Sequence, residues 1–361
     1  MSNIVRVKID EKIAKAAVYG GAFLGGGGGG DLREGLRTIE IALSLGDIYI
    51  VSIDEIPREA YIATASIVGA PAAKERYVKY SHMIKAFELL IEAAENTPIK
   101  GIISSENGGA STTNGWIPAA ALELPIVDAP ADGRAHPSGV MGSMGLHKRV
   151  DYVSVQAGVG GDKSSGRYIE IVVRGSLERA DKLIREAAVQ AGGMIAVARN
   201  PVERDYVAEN AAVGGLSKAI ELGEIIIKNI SDPIKLCEEV IRHLGGGEIL
   251  DRGVVVDKSL RTVGGYDVGE VVIQGSRDNY LVTFWNEYMT IESRDKILAA
   301  FPDLIVTLDA KTSLSLTSAE IKKGDEVFLV SVPKQYIPLG SGVKDPDILR
   351  SVESIIGKRI L

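Results

Sequence analysis

The residues best suited to chemistry lie in one segment, Val127–Pro137, called here the Asp128 loop. Its two carboxylates, Asp128 and Asp132, could activate water or hold a divalent metal such as zinc together with the imidazole of His136. The guanidinium of Arg134 matches a carboxylate or an imide oxygen in shape. We predict that the two aspartates and His136 are catalytic and are metal candidates, and that Arg134 binds substrate. The structural alternative is an Asp-Gly turn braced by the arginine.

A second polar segment follows the apolar run Ile99–Ser104. This Glu106 loop, Ser105–Asn114, contains a carboxylate among residues that otherwise bind or turn. Because ligands of α/β proteins gather at the carboxyl ends of strands, we predict that Glu106 is catalytic and that Asn114 binds substrate. The alternative is a polar loop in which Glu106 caps a neighbouring element.

A third segment is the glycine run, Gly25–Gly30, which ends at Asp31. Glycine loops before a helix let backbone N–H groups approach an anion, and the aspartate is a good helix cap. We predict that substrate contacts this segment at Gly27, Gly28, Gly29, Gly30 and Asp31. Because no Lys-Ser or Lys-Thr follows, the run is not a phosphate-binding P-loop. The alternative is a tight loop between two helices.

The elements around these loops alternate in type. Apolar periodicity predicts helices at 11–23, 32–45 and 74–95, and strands at 48–53, 61–68, 99–104 and 125–127. This alternation predicts α/β layers around a largely parallel sheet, in which the three loops converge at one edge.

The sequence pattern changes near Gly245, after which short predicted β-strands are separated by Gly, Asp and Asn. This pattern predicts a β-rich module, barrel or sandwich-like, at about 245–333. We therefore expect an N-terminal α/β domain at 1–165, carrying the three loops, and a C-terminal domain at 166–361 that contains the module.

Composition narrows the class of protein. The 361 residues are 45% hydrophobic and 25% charged, which is typical of a globular protein, and the net charge of −7 disfavours nucleic acid and anionic membranes as partners. No uncharged apolar stretch reaches the roughly 18 residues of a spanning helix. The single cysteine, Cys237, excludes a disulfide framework and lies on an apolar helix face. The mixed charges of the first fifteen residues do not form a secretory signal, so we expect a cytoplasmic protein.

Eight motifs in order resemble the S-methyl-thiohydantoin desulfurase domain family over essentially the whole chain. They are Leu24-Gly to Gly30-Asp31, Gly69-Ala-Pro71 with Glu75, Glu106-x-Gly-Gly with Asn114 and Pro118-Ala-Ala, Leu124-Pro-x-Val-Asp128, Asp132-Gly-Arg-Ala135, Ala198-Arg-Asn-Pro201, Phe284-x-Asn-Glu287 and Phe301-Pro-Asp-Leu-Ile305.

Two positions depart from the family pattern. Gly26 stands where members usually have threonine, and His136-Pro137-Ser138 replaces an aromatic residue followed by Pro-Glu. The missing glutamate points to another substrate or a weaker activity.

The resemblance implies a hydrolase that replaces sulfur by oxygen at C2 of a hydantoin-like cyclic amide. Genes of the family lie beside, or are fused to, hydantoinase or oxoprolinase subunits, so these subunits are expected partners, and we expect a homo-oligomer. Asn286 and Glu287 follow a strand of the β-rich module and are predicted to bind substrate from that side, between the domains. Two other classes stay open: a non-catalytic subunit of a hydantoinase complex, and a phosphate- or nucleotide-binding module.

Overall fold

Two eight-stranded β-sheets organise residues 6–360, the part of the chain that the computed structural model describes. The first sheet has the strand order β1-β2-β5-β4-β3-β8-β6-β7. Its strands are β1 (Arg6–Lys8), β2 (Tyr49–Val51), β3 (Tyr61–Gly69), β4 (Ile99–Ser104), β5 (Ile126–Val127), β6 (Ser154–Gly160), β7 (Ile169–Gly175) and β8 (Met194–Glu203).

The second sheet has the order β13-β12-β11-β10-β9-β16-β14-β15, and all of its pairs are antiparallel. It confirms the predicted β-rich module. Its strands are β9 (Glu248–Val263), β10 (Tyr266–Gly275), β11 (Asn279–Trp285), β12 (Glu287–Ser293), β13 (Lys296–Ala300), β14 (Leu304–Asp309), β15 (Ser315–Leu316) and β16 (Glu326–Val332).

The helices pack mainly around the first sheet and between the two sheets. They are α1 (Glu11–Leu24), α2 (Leu32–Leu45), α3 (Tyr80–Ala93), α4 (Trp116–Leu122), α5 (Leu177–Gln190), α6 (Arg204–Asn210), α7 (Gly215–Asn229), α8 (Pro233–Leu244) and α9 (Pro346–Ile356). None of the helices in this part of the chain is long and apolar enough to cross a membrane.

The prediction of a largely parallel first sheet is wrong. Only β2, β5, β4 and β3 run parallel to one another, while β1, β8, β6 and β7 join by antiparallel pairing. The short connection from β6 to β7 leaves room for a hairpin but not for a crossover helix, so these two strands pair antiparallel. Because β7 and β8 lie beyond residue 165, the first sheet continues past the predicted domain boundary.

The helix predicted at 74–95 begins later, at Tyr80. The backbone before it hydrogen-bonds elsewhere in the fold: Ala72 N–H donates to Asp267 Oδ2 at 2.8 Å, and Tyr77 O accepts from Gly161 N–H at 3.0 Å. These partners, one of them in the second sheet, hold the segment outside the helix.

Helices α1 and α7 pack in direct backbone contact. A Cβ added at Gly20 would collide with the carbonyl of Ala219, and one added at Gly223 would collide with that of Ala16. This close approach places the end of α1, and therefore the glycine run after it, against the rest of the fold.

We expect Gly223→Ala to lower the free energy of unfolding by about 1–3 kcal/mol, because the added methyl group forces two helices apart. The matched control is Gly175→Ala in β7, where a Cβ meets no atom within 4 Å. Chemical denaturation of both variants measures the difference. Equal stabilities for the two variants would contradict the packing described here.

Candidate functional site

A cavity of about 280 Å³ lies at the carboxyl ends of β3 and β4 and is closed by turns of the second sheet. The glycine run, the Glu106 loop and the Asp128 loop all contribute to its wall, which confirms their predicted convergence. Of the predicted site residues, the cavity is lined by Gly27, Gly28, Gly29, Gly30, Asp31, Glu106, Asn114, His136, Asn286 and Glu287.

The carbonyl groups of the glycine run fasten it to both sheets. Gly26 O accepts from Tyr288 N–H at 2.9 Å, and Gly27 O accepts from Ser318 N–H at 2.7 Å, both in the second sheet's part of the fold. Gly29 O accepts from two amides of the Glu106 loop at 2.9 and 3.0 Å. The run is therefore a fixed wall of the cavity.

Side chains cannot replace these glycines. A Cβ at Gly27 would enter the ring of Tyr288, and one at Gly28 would collide with the carboxyl group of Glu287. Gly27 and Gly29 also have φ values of +85° and +72°, which side-chain-bearing residues rarely adopt. Within residues 6–360, the amides of Gly27, Gly29 and Gly30 donate no hydrogen bond, so they are available to a ligand.

Asp31 serves as the cap of α2. Its Oδ1 accepts from the amides of Arg33 at 2.6 Å and Glu34 at 3.2 Å. This negative charge already occupies the helix N-terminus, the place where a phosphate would bind. The arrangement disfavours the nucleotide-binding alternative.

Two carboxyl groups and an imidazole form the reactive part of the cavity. Glu106 Oε2 accepts from the His136 amide at 3.0 Å and lies 3.2 Å from His136 Nδ1. Glu287 stands at the start of β12 and is only 3% exposed. Its Oε2 has no hydrogen-bond partner within the described residues.

These surroundings give the two carboxyl groups different proton affinities. Burial raises the pKa of Glu287 well above its usual value, and the charge of Glu106 raises that pKa further. Burial also raises the pKa of Glu106, but His136 opposes this rise. Glu287 therefore keeps its proton to higher pH, and Glu106 is the more readily ionised partner, a division seen where two carboxyl groups share a site.

Asn286 positions Glu287 at the turn between β11 and β12. The backbone of Asn286 has φ +57°. Its side-chain Oδ1 accepts a hydrogen bond from Asp267 N–H at 2.9 Å, and its backbone N–H donates to Asp267 O at 2.7 Å. The left-handed turn directs the chain so that Glu287 enters the cavity.

The two aspartates of the Asp128 loop form hydrogen bonds that differ from the predicted catalytic role. Asp128 Oδ1 accepts from the amides of Leu216 at 2.9 Å and Ser217 at 3.0 Å, so it caps α7. Asp132 is fully buried and its Oδ1 accepts from Gly340 N–H at 3.1 Å, while its Oδ2 lies 3.7 Å from His136 Nδ1. Neither lines the cavity, so the geometry does not support water activation by Asp128 and leaves Asp132 to orient His136.

Arg134 lies behind the cavity wall. It is fully buried, its Nε donates to Ala135 O at 3.1 Å, its Nη1 donates to Asp303 O, and the guanidinium covers the ring of Phe301 at 4.5 Å. Burial lowers its pKa to about 10. The structural alternative, a bracing arginine, fits this placement better than direct substrate binding.

The two departures from the family pattern lie at this wall. A Cβ at Gly26 would stand 2.7 Å from Arg134 Nη2, an atom without a hydrogen-bond partner in the described residues. Ser138 lines the cavity where relatives carry the glutamate. Both changes therefore alter the surroundings of the site directly.

The three predicted metal ligands do not form one group, although Asp132 Oδ2 lies 3.7 Å from His136 Nδ1. Asp128 caps α7, and within residues 6–360 no group of three or more His, Cys, Asp or Glu side chains is arranged to hold a metal ion. The zinc hypothesis stays a prediction that metal analysis of the purified protein can test.

Several residues that line the cavity escaped the sequence analysis, among them two buried arginines, Arg185 of α5 and Arg199 of β8. Arg199 belongs to the motif Ala198-Arg-Asn-Pro201, so the signal was present but had no assigned role. Arg185 sits in an ordinary amphipathic helix and carried no signal. The remaining reactive groups are structural: Cys237 is buried in the core, and His82 Nδ1 accepts from Lys79 N–H at 3.2 Å.

The fold and the cavity define a two-sheet α/β protein with a carboxyl-lined site. The chain matches the S-Me-THD-like N-terminal domain over residues 14–163 and the S-Me-THD-like C-terminal domain over residues 175–337. It therefore belongs to this family, which confirms the predicted S-methyl-thiohydantoin desulfurase domain family.

The fold is also found among solved structures. A crystal structure of a protein from Chromobacterium violaceum, from the Northeast Structural Genomics Consortium, has a TM-score of 0.71 with 18% sequence identity, covering 97% of this chain and 96% of that chain. At this identity the likeness shows the fold alone. No curated protein matches the sequence significantly.

The placement of Arg134 generates a stability prediction. Arg134→Lys should lower the free energy of unfolding by about 1–3 kcal/mol, because a lysine leaves buried acceptors unpaired. Thermal and chemical unfolding measure this loss. Arg242→Lys is the control, since that side chain is 74% exposed. A stable Arg134→Lys variant with weakened ligand binding would instead return Arg134 to the substrate site.

The buried proton on Glu287 predicts a pH dependence of stability. An unfolded glutamate titrates near about pH 4.3, whereas the pKa of Glu287 in the folded chain is well above its usual value. The folded state thus binds more protons between the two pKa values, and this group's contribution to stability falls as pH rises through that window.

Glu287→Gln cannot ionise and should lose this dependence. Relative to that of the wild type, its free energy of unfolding should increase as pH rises above about 5. Urea denaturation across pH measures the gap, with Glu88→Gln, whose side chain is 49% exposed, as the control. Parallel pH curves for wild type and Glu287→Gln would contradict a buried, protonated carboxyl group.

Proposed function

We propose that this protein hydrolyses a hydantoin-like or thiohydantoin ring and replaces the sulfur at C2 by oxygen. The observation that carries the proposal is the pair of buried carboxyl groups, Glu106 and Glu287, which line one cavity and differ in how strongly their surroundings raise their pKa values. Hydrolysis at C2 needs both a base for water and an acid for the ring and the leaving group. Family membership supports the same chemistry.

The cavity suits a small cyclic substrate. Its volume of about 280 Å³ lies at the small end of ligand pockets. The unpaired amides of Gly27, Gly29 and Gly30 supply fixed donors for an oxygen or nitrogen of the ring on which negative charge develops. These donors are held in place by the carbonyl contacts of the run, so they need no rearrangement during the reaction.

The first step adds water to the ring of an S-methyl-thiohydantoin. Glu106 takes a proton from water as the oxygen bonds to C2, and the C2=N electron pair moves to the ring nitrogen, which takes the proton of Glu287. His136, with Nδ1 3.2 Å from Glu106 Oε2, holds the base in position. The product of this step is a tetrahedral carbon bearing OH and S-methyl groups.

The second step expels the sulfur. The C2–S bond breaks, Glu106 returns its proton to the leaving methanethiolate, and the hydroxyl proton passes to Glu287 as C2=O forms. The balance is one water consumed, one hydantoin and one methanethiol released. Both carboxyl groups regain their starting protonation states, as a catalyst requires.

Glu106→Gln should lower kcat by about 10²–10⁴-fold, because an amide cannot accept the proton of water. Methanethiol release from S-methyl-thiohydantoins, followed with a thiol reagent, measures the rate. Glu88→Gln, on the exposed face of α3, is the matched control. The wild-type kcat should follow a bell-shaped pH profile, with the acid limb lost when Glu106 is protonated and the alkaline limb lost when Glu287 ionises.

Two outcomes would overturn the proposal. Unchanged turnover in Glu106→Gln would remove the base from the mechanism. A wild-type chain that releases no methanethiol by itself, yet co-purifies with hydantoinase subunits and raises their activity, would favour the non-catalytic subunit.

A further inference from the structure

The first sheet ends in an open edge at β7. Within residues 6–360 this strand is hydrogen-bonded to β6 on one side and to no strand on the other. The outer side of an antiparallel edge strand carries a row of N–H and C=O groups without ladder partners. At about 3.4 Å per residue, the seven residues of β7 make this edge about 23 Å long. It is therefore long enough to pair with a further strand.

The edges formed by β1, β13 and β15 are less suited to pairing. β1 spans three described residues and β15 spans two. β13 has five residues, and its one charged residue is Lys296. A lysine on an edge strand is a common device against pairing, and a second copy of β13 offers no acid to meet it. Of these four edges, β7 is the one whose length and charges allow pairing.

Residues alternate along β7 between a charged face and an apolar face. Glu170, Val172 and Arg174 are exposed, with Val172 exposed at 43%. Ile171 and Val173 point the other way and pack with residues of α5 in one apolar cluster. Because successive side chains of a strand point to opposite faces, a strand added at this edge would meet one charged row and one apolar row.

The charges on β7 are arranged symmetrically about Val172. Glu170 lies two residues before it and Arg174 two residues after it. Among the described residues, Arg174 forms no ion pair, and Glu170 accepts a hydrogen bond from the Tyr168 hydroxyl but pairs with no cation. When two copies of a strand pair antiparallel about a two-fold axis at one residue, residues equally far before and after it lie opposite each other. Glu170 of each copy would then face Arg174 of the other.

We propose that β7 pairs antiparallel with β7 of a second copy of this chain, with the two-fold axis at Val172. This pairing gives the expected homo-oligomer its interface and does not depend on the proposed reaction. Two Glu170–Arg174 pairs then lie on one face, and Ile171 of each copy meets Val173 of the other on the opposite face. Opposite charges and apolar residues in such positions stabilise an antiparallel pair. A shift of the axis by one residue in either direction would place both charges opposite uncharged residues.

Helix α5 extends the apolar face beside this edge. Ala180 and Ala187 of α5 are buried in the cluster that contains Val173. Leu183 follows Ala180 by three residues and precedes Ala187 by four, so it lies on the same side of the helix, yet it is 53% exposed. A second copy paired at β7 would bring its own α5 alongside and cover this leucine. The interface thus includes side chains from both the strand and the helix.

Sedimentation equilibrium of the full chain tests the pairing. The wild type should reach at least twice the chain mass of 38.4 kDa. Arg174→Glu should weaken the association at least about tenfold, because it places like charges directly opposite each other at both ends of the strand pair. Glu170→Arg should do the same, whereas an equimolar mixture of the two variants should associate again, since each Glu then faces an Arg. Arg37→Glu, at an exposed position of α2 with the same change of charge, is the control.

A cross-link tests the same register without changing a charge. Val172→Cys should place two thiols opposite each other on the axis, where the Cβ atoms of an antiparallel pair are about 4.5–5.5 Å apart. A short bifunctional thiol reagent should then join the two copies, while the native Cys237 is buried and stays unreacted. Val213→Cys, at a position that is 47% exposed just before α7, is the control.

Three results would each overturn the pairing: a monomeric wild type, an association that Arg174→Glu leaves unchanged, or a mixture of the two charge variants that does not associate. Where a charge variant fails to fold, the comparison of Val172→Cys with Val213→Cys decides. Efficient cross-linking at Val172→Cys alone supports the pairing, and equal cross-linking of the two cysteine variants contradicts it.

Discussion

The glycine run fills a gap in which no side chain fits, and the site depends on this constraint. Tyr288 and Glu287 press on it from the second sheet, and Gly108 of the Glu106 loop presses on it from the first. Its carbonyl groups bond to both neighbours, while several of its amides stay unpaired at the cavity. The same close packing that joins the two sheets therefore also supplies the donors that the proposed reaction needs.

The electrostatic character of the cavity follows from that closeness. With the run reduced to bare backbone, Glu287 can approach from the second sheet into a space that already contains Glu106. Two carboxyl groups in a buried space cannot both be charged cheaply, so one keeps its proton. His136, 3.2 Å from Glu106, opposes the rise in the pKa of Glu106 and so favours its ionised form. Arg134 lies behind the cavity wall, and its charge opposes the rise in the pKa of Glu287.

Sequence patterns predicted the α/β layers, the β-rich module and the convergence of the three loops, because strand ends and glycine breaks are local features. They did not predict that β6, β7 and β8 pair antiparallel, since pairing depends on connections that periodicity does not encode. They also did not predict the directions in which the side chains of Asp128 and Arg134 point. A polar residue after a strand can face a cavity or cap the next helix, and only the path of the later chain, Leu216 for Asp128 and Phe301 for Arg134, decides between them. Arg185 was missed because it lies within an amphipathic helix, where an arginine gives no signal of a site.

The proposed reaction requires a Glu287 that holds a proton at neutral pH beside an ionised Glu106. The most direct measurement is the infrared difference spectrum between the wild type and Glu287→Gln at pH 7, recorded without any substrate. We expect a carbonyl band of a protonated carboxylic acid in the wild type that disappears in the variant. A spectrum in which the variant loses only a carboxylate band would show that Glu287 is ionised and would rule out its proposed role as the acid.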